Sequence, residues 1–287
     1  HVPGMGLFAH LAWVLHGLIW AERKGYELNF ICTNDIYNDA DQEGDWLAEV
    51  IEQSSPISDS IYRIGNYEEL PCYGELPTFD RKQAMKIVAR HLSLTPSLAT
   101  QVENKTSEWF SGRFVIALHY RGSDKANDAT LLSYEHVIST LKRAVSLVAK
   151  TTRPVVFVAT DEESFLEQIR AEIIDADFHA FDGNIRSEAK QGSHLMSRPD
   201  GRRLAREAML DTLLLSQSAI LFKTASALSG WAALLGKEMP IVMLSQHHKS
   251  YLYCPENILA AEAYMMRQTD EAILHALSNW RTPPQGK

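Results

Sequence analysis

The residues best placed to do chemistry lie in one stretch, Arg113–Asp128, with the sequence RFVIALHYRGSDKAND. Five apolar residues, Phe114 to Leu118, have the length and texture of a strand buried on both faces. Behind them crowd His119, Arg121, Asp124, Lys125 and Asp128. Ligands of open α/β sheets bind outside the carboxyl ends of the strands, which is where these groups fall. Alternation along an extended chain puts His119 and Arg121 on the same side. The planar fork of an arginine suits a phosphate, because it offers two parallel charge-assisted bonds. The plainer reading of the same residues is a surface loop carrying a salt bridge.

Other polar groups end apolar runs in the same manner. PVVFVA, Pro154–Ala159, runs into Thr160 and Asp161, and Ala219–Lys223 runs into Thr224-Ala225-Ser226 at a helix start. Hydroxyls, backbone amides and helix dipole all point one way at such a start, which suits a diphosphate. Ser226 acting only as the helix cap explains its type equally well. Asp211 interrupts the apolar run LDTLLLSQ. A carboxylate there is costly unless paired, so it meets either an arginine or a pair of ligand N–H donors, such as those of guanine. Near the start of the chain, Gly4 and Gly6 in GMGLFAHL put backbone amides at a helix N-terminus that an anion could approach, or else form a plain turn.

The elements that must position these groups follow from periodicity. Leu7, Leu11, Val14, Leu15 and Leu18 keep a helical period, with Gly25 at the cap position. Leu28–Cys32 reads as a short strand, half of a β-α-β unit whose first strand would lie just upstream of His1. A polar region precedes a helix over Trp46–Gln53, and Ser54–Pro77 is irregular with a short strand at Ile61–Ile64. Helices follow at Arg81–His91 and Pro96–Trp109, and a domain boundary falls near Ser107–Arg113, dividing 1–110 from 111–287. Beyond it come helix Tyr134–Ala149, strand Pro154–Ala159, helix Glu163–Ile173 and strand Phe178–Ala180. A long loop, Asp182–Arg203, carries Arg186, Lys190, Arg198, Arg202 and Arg203. Helix Leu204–Gln217, strand Ala219–Lys223, helix Ala227–Leu235, strand Ile241–Leu244 and helix Asp270–Trp280 complete the chain. Strands alternating with helices at this spacing imply an α/β fold with a parallel, doubly wound sheet, its charged turns all on one edge.

Composition bounds the function. The 287 residues are 45% apolar and 22% charged, as in an ordinary globular protein. A net charge of −8 argues against a general nucleic-acid binder. Met5–Ala21 is apolar but short for a membrane span and interrupted by His10 and His16, so a buried amphipathic helix fits it better. Cys32, Cys72 and Cys254 form no disulfide framework, which leans towards a reducing, cytoplasmic compartment. The triplet Asn104-Lys105-Thr106 points instead to a secretory lumen.

The combination HYRGSDK, VFVATDEES, MLDTLLLSQSAILFKTAS and GMGLFAHL resembles the α-1,6-fucosyltransferases and nodulation fucosyltransferases, which are related to the protein O-fucosyltransferases. The resemblance is best over Phe114–Leu244. It implies a GT-B-like pair of Rossmann-type domains, with GDP-fucose held mainly by the second. It implies a metal-independent, inverting transfer of fucose to a glycan hydroxyl, with no cofactor beyond the donor substrate. Arg121 matches the family's essential arginine on the β-phosphate, His119 the histidine near the nucleotide, and Asp211 the aspartate on guanine. Asp161 matches the acidic residue after the second strand, and Thr224 and Ser226 the phosphate-side turn. Lys125 would support the diphosphate, and Asp128, offset by about one residue, is the nearest match to the general base. Gly122 stands where the α-1,6 enzymes have a second arginine, Ala227 replaces a serine, and Phe8 stands near an expected glutamine.

Two other readings fit some of these residues. A metal-dependent transferase would use a D-x-D, and the chain has Asp39-Ala40-Asp41 and Asp175-Ala176-Asp177. His247-His248, adjacent in sequence, would point to opposite sides of an extended chain. A non-catalytic nucleotide or glycan binder would explain the glycine at 122 and the alanine at 227.

Overall fold

The computed structural model describes residues 6–26, 28–33, 36–38, 44–52, 80–122, 129–186, 200–246 and 255–280. Among the described residues the chain is α/β, built on one parallel sheet of six strands. The strands are β3 (Val115–Tyr120), β4 (Val155–Thr160), β5 (Asp177–His179), β6 (Ile220–Lys223), β7 (Ile241–Met243) and β8 (Tyr264–Met265). They lie in the order β5-β4-β3-β6-β7-β8, and every pairing is parallel. The chain steps from β3 to β4 to β5 in one direction, then returns to place β6 on the other side of β3. Strand order reverses there, and the crevice at the carboxyl ends of β3 and β6 is the topological switch point where such sheets bind ligands.

Strand alternation builds two cores. Phe114, Ile116, Leu118, Tyr120, Val156 and Val158 pack under α4 (Tyr134–Ala149), α5 (Glu163–Glu172) and α9 (Thr269–Asn279). Val115, Ala117, Val155, Phe157 and Ala159 face the other way, towards Leu214 and Leu215 of α6 (Gly201–Leu215) and Ala232 of α7 (Ala227–Leu235). Residues of β3 and β4 are buried throughout, as a run covered on both faces must be.

The first part of the chain packs onto the α6–α7 layer. Helix α1 (Leu7–Lys24) ends on Gly25, whose φ of 71° is the left-handed cap conformation expected of it. Trp231 Nε1 of α7 donates to the Phe8 carbonyl at 3.0 Å. Buried Arg81, which opens α2 (Arg81–His91), donates to Ala233 O at 3.0 Å and Met239 O at 2.9 Å. An antiparallel pair, β1 (Ile51–Glu52) with β2 (Ser93–Leu94), and α3 (Pro96–Trp109) complete this part.

The expected helices over Arg81–His91, Pro96–Trp109, Tyr134–Ala149 and Ala227–Leu235 form with those bounds. Leu28–Cys32 is not a strand. Cys32 spends its N–H on Asp45 Oδ1 at 2.9 Å and its carbonyl on Trp46 N at 3.1 Å, so no ladder forms. The helix expected over Trp46–Gln53 is a 3₁₀ turn, Trp46–Glu49, that runs into β1. Helix α6 starts at Gly201, which takes Arg202 and Arg203 out of the expected loop. The short helix α8 (Glu256–Leu259) and β8 had no expected counterpart. Ile61–Ile64, Asp39-Ala40-Asp41 and His247-His248 lie outside the described residues.

Candidate functional site

The ends of β3, β4 and β6 are joined at the switch point. The His119 carbonyl accepts the Thr224 N–H at 3.1 Å, and the Arg121 N–H donates to Thr224 Oγ1 at 2.8 Å. Asp161, one residue past β4, holds the Arg121 side chain: Oδ2 lies 3.3 Å from Nε, while Oδ1 accepts the Gly122 N–H at 3.4 Å. The Arg121 side chain is only 14% exposed. Four of the residues expected to form a site, His119, Arg121, Asp161 and Thr224, are therefore in direct hydrogen-bonded or ionic sequence. The salt bridge of the plainer reading exists, but it is buried at the sheet's ligand-binding edge.

His119 is enclosed beneath this pair. Its Nδ1 lies 2.9 Å from Ser229 Oγ of α7. Burial, then the charges of Arg121 and Lys223, hold its pKa well below the ordinary value, so the imidazole is neutral. Lys223 ends β6 directly across from His119 and is fully buried. Its Nζ meets both carboxylate oxygens of Glu256, at 2.7 and 2.9 Å. Ser226 is the N-cap residue of α7, but its side chain makes no capping bond, so capping does not account for it. The Ala225 N–H in the same turn is held by Ser245 Oγ at 3.1 Å.

The start of α1 reaches this neighbourhood. Gly6 is its N-cap residue, and the next N–H, that of Leu7, donates to Tyr37 Oη at 2.7 Å. Burial pushes the Tyr37 hydroxyl up to about 12, while the Leu7 bond and the Arg121 charge act in the opposite sense. Gly4, Asp124, Lys125 and Asp128 lie outside the described residues.

Asp211 belongs to a second cluster. Its Oδ2 accepts from Asn184 Nδ2 at 2.9 Å. Burial drives its carboxyl up to about 7, with Arg186 and Asn184 pulling down and Glu207 adding to the rise. The turn after β5 is clamped around it. Ile185 N donates to Glu207 Oε2 at 2.9 Å, Arg203 joins Glu207 at 2.6 Å and Gly183 O at 2.8 Å, and buried Arg186 pairs with Glu163 at 3.1 Å. Arg202 instead reaches Glu49, at 2.7 Å. Lys190 and Arg198 are outside the described residues.

Of the second D-x-D, Asp177 opens β5, on the edge opposite the switch point. It is clasped by Arg113 at 2.7 Å and Arg153 at 2.9 Å. Sequence reasoning missed Lys223–Glu256, Ser229, Tyr37 and Asn184. Only Lys223 carried a signal, a lysine ending an otherwise apolar strand run.

No protein-family model and no curated protein matches the chain. Solved structures do. The NodZ α-1,6-fucosyltransferase soaked with GDP-fucose is 16% identical, with a TM-score of 0.51, covering 83% of this chain and 91% of that one. The same enzyme co-crystallised with GDP is 17% identical at the same TM-score and coverage. NodZ from Bradyrhizobium is 18% identical with a TM-score of 0.50, covering 80% of this chain and 89% of its own. The α/β, GT-B-like fold class read from the sequence is borne out, and the chain shares its fold with these fucosyltransferases.

Proposed function

We propose that the chain is a glycosyltransferase that moves fucose from GDP-fucose to a glycan hydroxyl, by a metal-independent inverting displacement. The observation that carries this reading is the buried Arg121–Asp161 pair, locked to Thr224 between β3 and β6. A fold shared with enzymes crystallised with GDP or soaked with GDP-fucose supports it. Residues from 111 onward hold the donor, and residues 1–110 belong to the acceptor side.

Departure of GDP from the anomeric carbon builds negative charge on the β-phosphate. In this reading Arg121, held by Asp161, stabilises that charge, with Thr224, Ser226 and the start of α7 contributing to the phosphate-side turn. Donors that need no reorganisation at the moment of reaction are what such a displacement requires in place of a metal. The acceptor hydroxyl attacks from the face opposite GDP and gives its proton to a carboxylate, for which Asp128 is the candidate, with Lys125 beside the diphosphate. Asp211 reads the guanine N–H donors.

Calorimetric titration with GDP, against ADP and UDP, tests the reading on wild type and Arg121→Ala. We expect selective GDP binding in the wild type. In the variant, selective GDP binding should be lost and transfer should fall by a transition-state cost of about 3–4 kcal/mol. The thermal unfolding midpoint should fall too, because Asp161 is left buried without its cation, so binding is measured below the variant's own midpoint. Equal binding of all three nucleotides, or none, would rule the reading out. GDP binding without transfer to any glycan would make the chain a binder.

A further inference from the structure

The last residue before α5 is Glu162, immediately after the aspartate that grips Arg121. Its carboxylate lies flat on Gly122. A Cβ built at position 122 would stand 2.6 Å from Glu162 Oε2, nearer than real Cβ contacts come. Glycine at 122 is thus what admits the carboxylate to the turn. Tyr134, the first residue of α4, donates its hydroxyl to Glu162 Oε2 at 2.7 Å and lies 3.0 Å from Ser164 Oγ. Beneath these groups is an aromatic base. The Tyr120 and Phe165 rings stack at 4.0 Å, and Tyr134 meets them edge-on at 5.6 and 5.1 Å. One carboxylate and two hydroxyls are therefore fixed on a packed support at the same sheet edge as Arg121.

We propose that Glu162, held by Tyr134 and admitted by Gly122, reads hydroxyl groups of the donor's sugar. The inference rests on the nucleotide-sugar reading above and adds a specificity-determining residue to it. A carboxylate repels a diphosphate, so this corner is not a second phosphate clamp. It accepts hydrogen bonds, and neighbouring hydroxyls of a pyranose are a matching pair of donors. Glu162 follows the aspartate that pairs with Arg121, and its carboxylate lies against Gly122, the residue after Arg121, so the two groups share one corner of the sheet edge. The tyrosine bond and the aromatic base beneath it hold the carboxylate in position at this corner.

The test compares GDP with GDP-fucose by calorimetry on wild type, Glu162→Gln and Gly122→Ala. The wild type should bind GDP-fucose more tightly than Glu162→Gln does by about tenfold, the scale of one hydrogen bond to a charged group. GDP alone should bind the variant as well as the wild type, or better. Gly122→Ala, whose methyl displaces the carboxylate, should show the same selective loss, and Tyr134→Phe a smaller one. Equal weakening towards both ligands, or unchanged GDP-fucose binding in Glu162→Gln, overturns the proposal and leaves the nucleotide reading standing. A wild type that binds no GDP overturns both.

Discussion

Two clusters serve the nucleotide in this reading, and they are built on opposite plans. The Arg121 cluster is made of strand ends: β3, β4 and β6 bring backbone N–H groups and short side chains into bonds with one another, over a fully buried Lys223–Glu256 pair. The Asp211 cluster is made of side chains from a turn and a helix, with Asn184, Arg186, Arg203 and Glu207 closing around one carboxylate. Parallel strands fix the first at the cost of adaptability. In the second, Asp211 Oδ2 already accepts an amide donor, so a ligand there exchanges one hydrogen bond for another. On the proposed reading, the end assigned to the phosphate is preorganised and the end assigned to the base is less so. Catalytic charge stabilisation profits from the first arrangement, whereas selection among bases tolerates the second.

The largest effect that sharpens this contrast concerns the ion pair under the rigid end. Glu256→Ala leaves the Lys223 ammonium buried without its carboxylate, and should destabilise the fold by about 3–5 kcal/mol in urea unfolding. Replacing both partners, Lys223→Met with Glu256→Leu, should recover most of that loss, since a packed apolar pair avoids desolvating two charges. A single variant as stable as wild type would mean that the strand-end cluster does not depend on the pair, and the two clusters would be less different than they look.

A smaller effect is expected at the adaptable end. Asp211→Asn keeps the shape of the side chain and removes its charge. GDP should bind about tenfold more weakly, the scale of a hydrogen bond to a charged group, while the unfolding midpoint holds or rises because a desolvated carboxylate has gone. Unaltered GDP affinity would separate Asp211 from the base and leave its cluster a purely structural clamp.

What could be read in the sequence divides along similar lines. Helices α2, α3, α4 and α7 and the runs of β3, β4 and β6 were legible, because a 3.6-residue period and unbroken apolar stretches are local signals. That Arg121, Asp161 and Thr224 come together was legible, since polar residues that end buried parallel strands gather on one edge of the sheet. The pairings were not. Lys223 and Glu256 are 33 residues apart, and Asn184 and Asp211 are 27 apart, so nothing local marks either partner. Leu28–Cys32 has strand composition, but pairing decides what such a segment becomes, and Asp45 and Trp46 take its backbone groups. Glu162 was visible only as one acid beside another, until the missing Cβ of Gly122 gave it a place.

The smallest effect follows from the raised Asp211 pKa, about 7 against an ordinary 3.8. Between these values the folded chain holds a proton that the unfolded chain has released. The stability contributed by this group is therefore full below 3.8 and lost as pH rises through about 7. Guanine N–H donors need the ionised carboxylate, so GDP affinity changes in the other direction. At a pH equal to the pKa, about half of the sites are ionised, and binding should be about twofold weaker than its high-pH limit. Titration of wild type and Asp211→Asn across this range separates the effect from ionisation of the phosphate, which both proteins experience alike. A pH dependence of GDP binding identical in the two would show that Asp211 does not change protonation when the nucleotide binds. The adaptable cluster would then be as fixed as the rigid one, and Asn184 would hold Asp211 in the complex as it does without ligand.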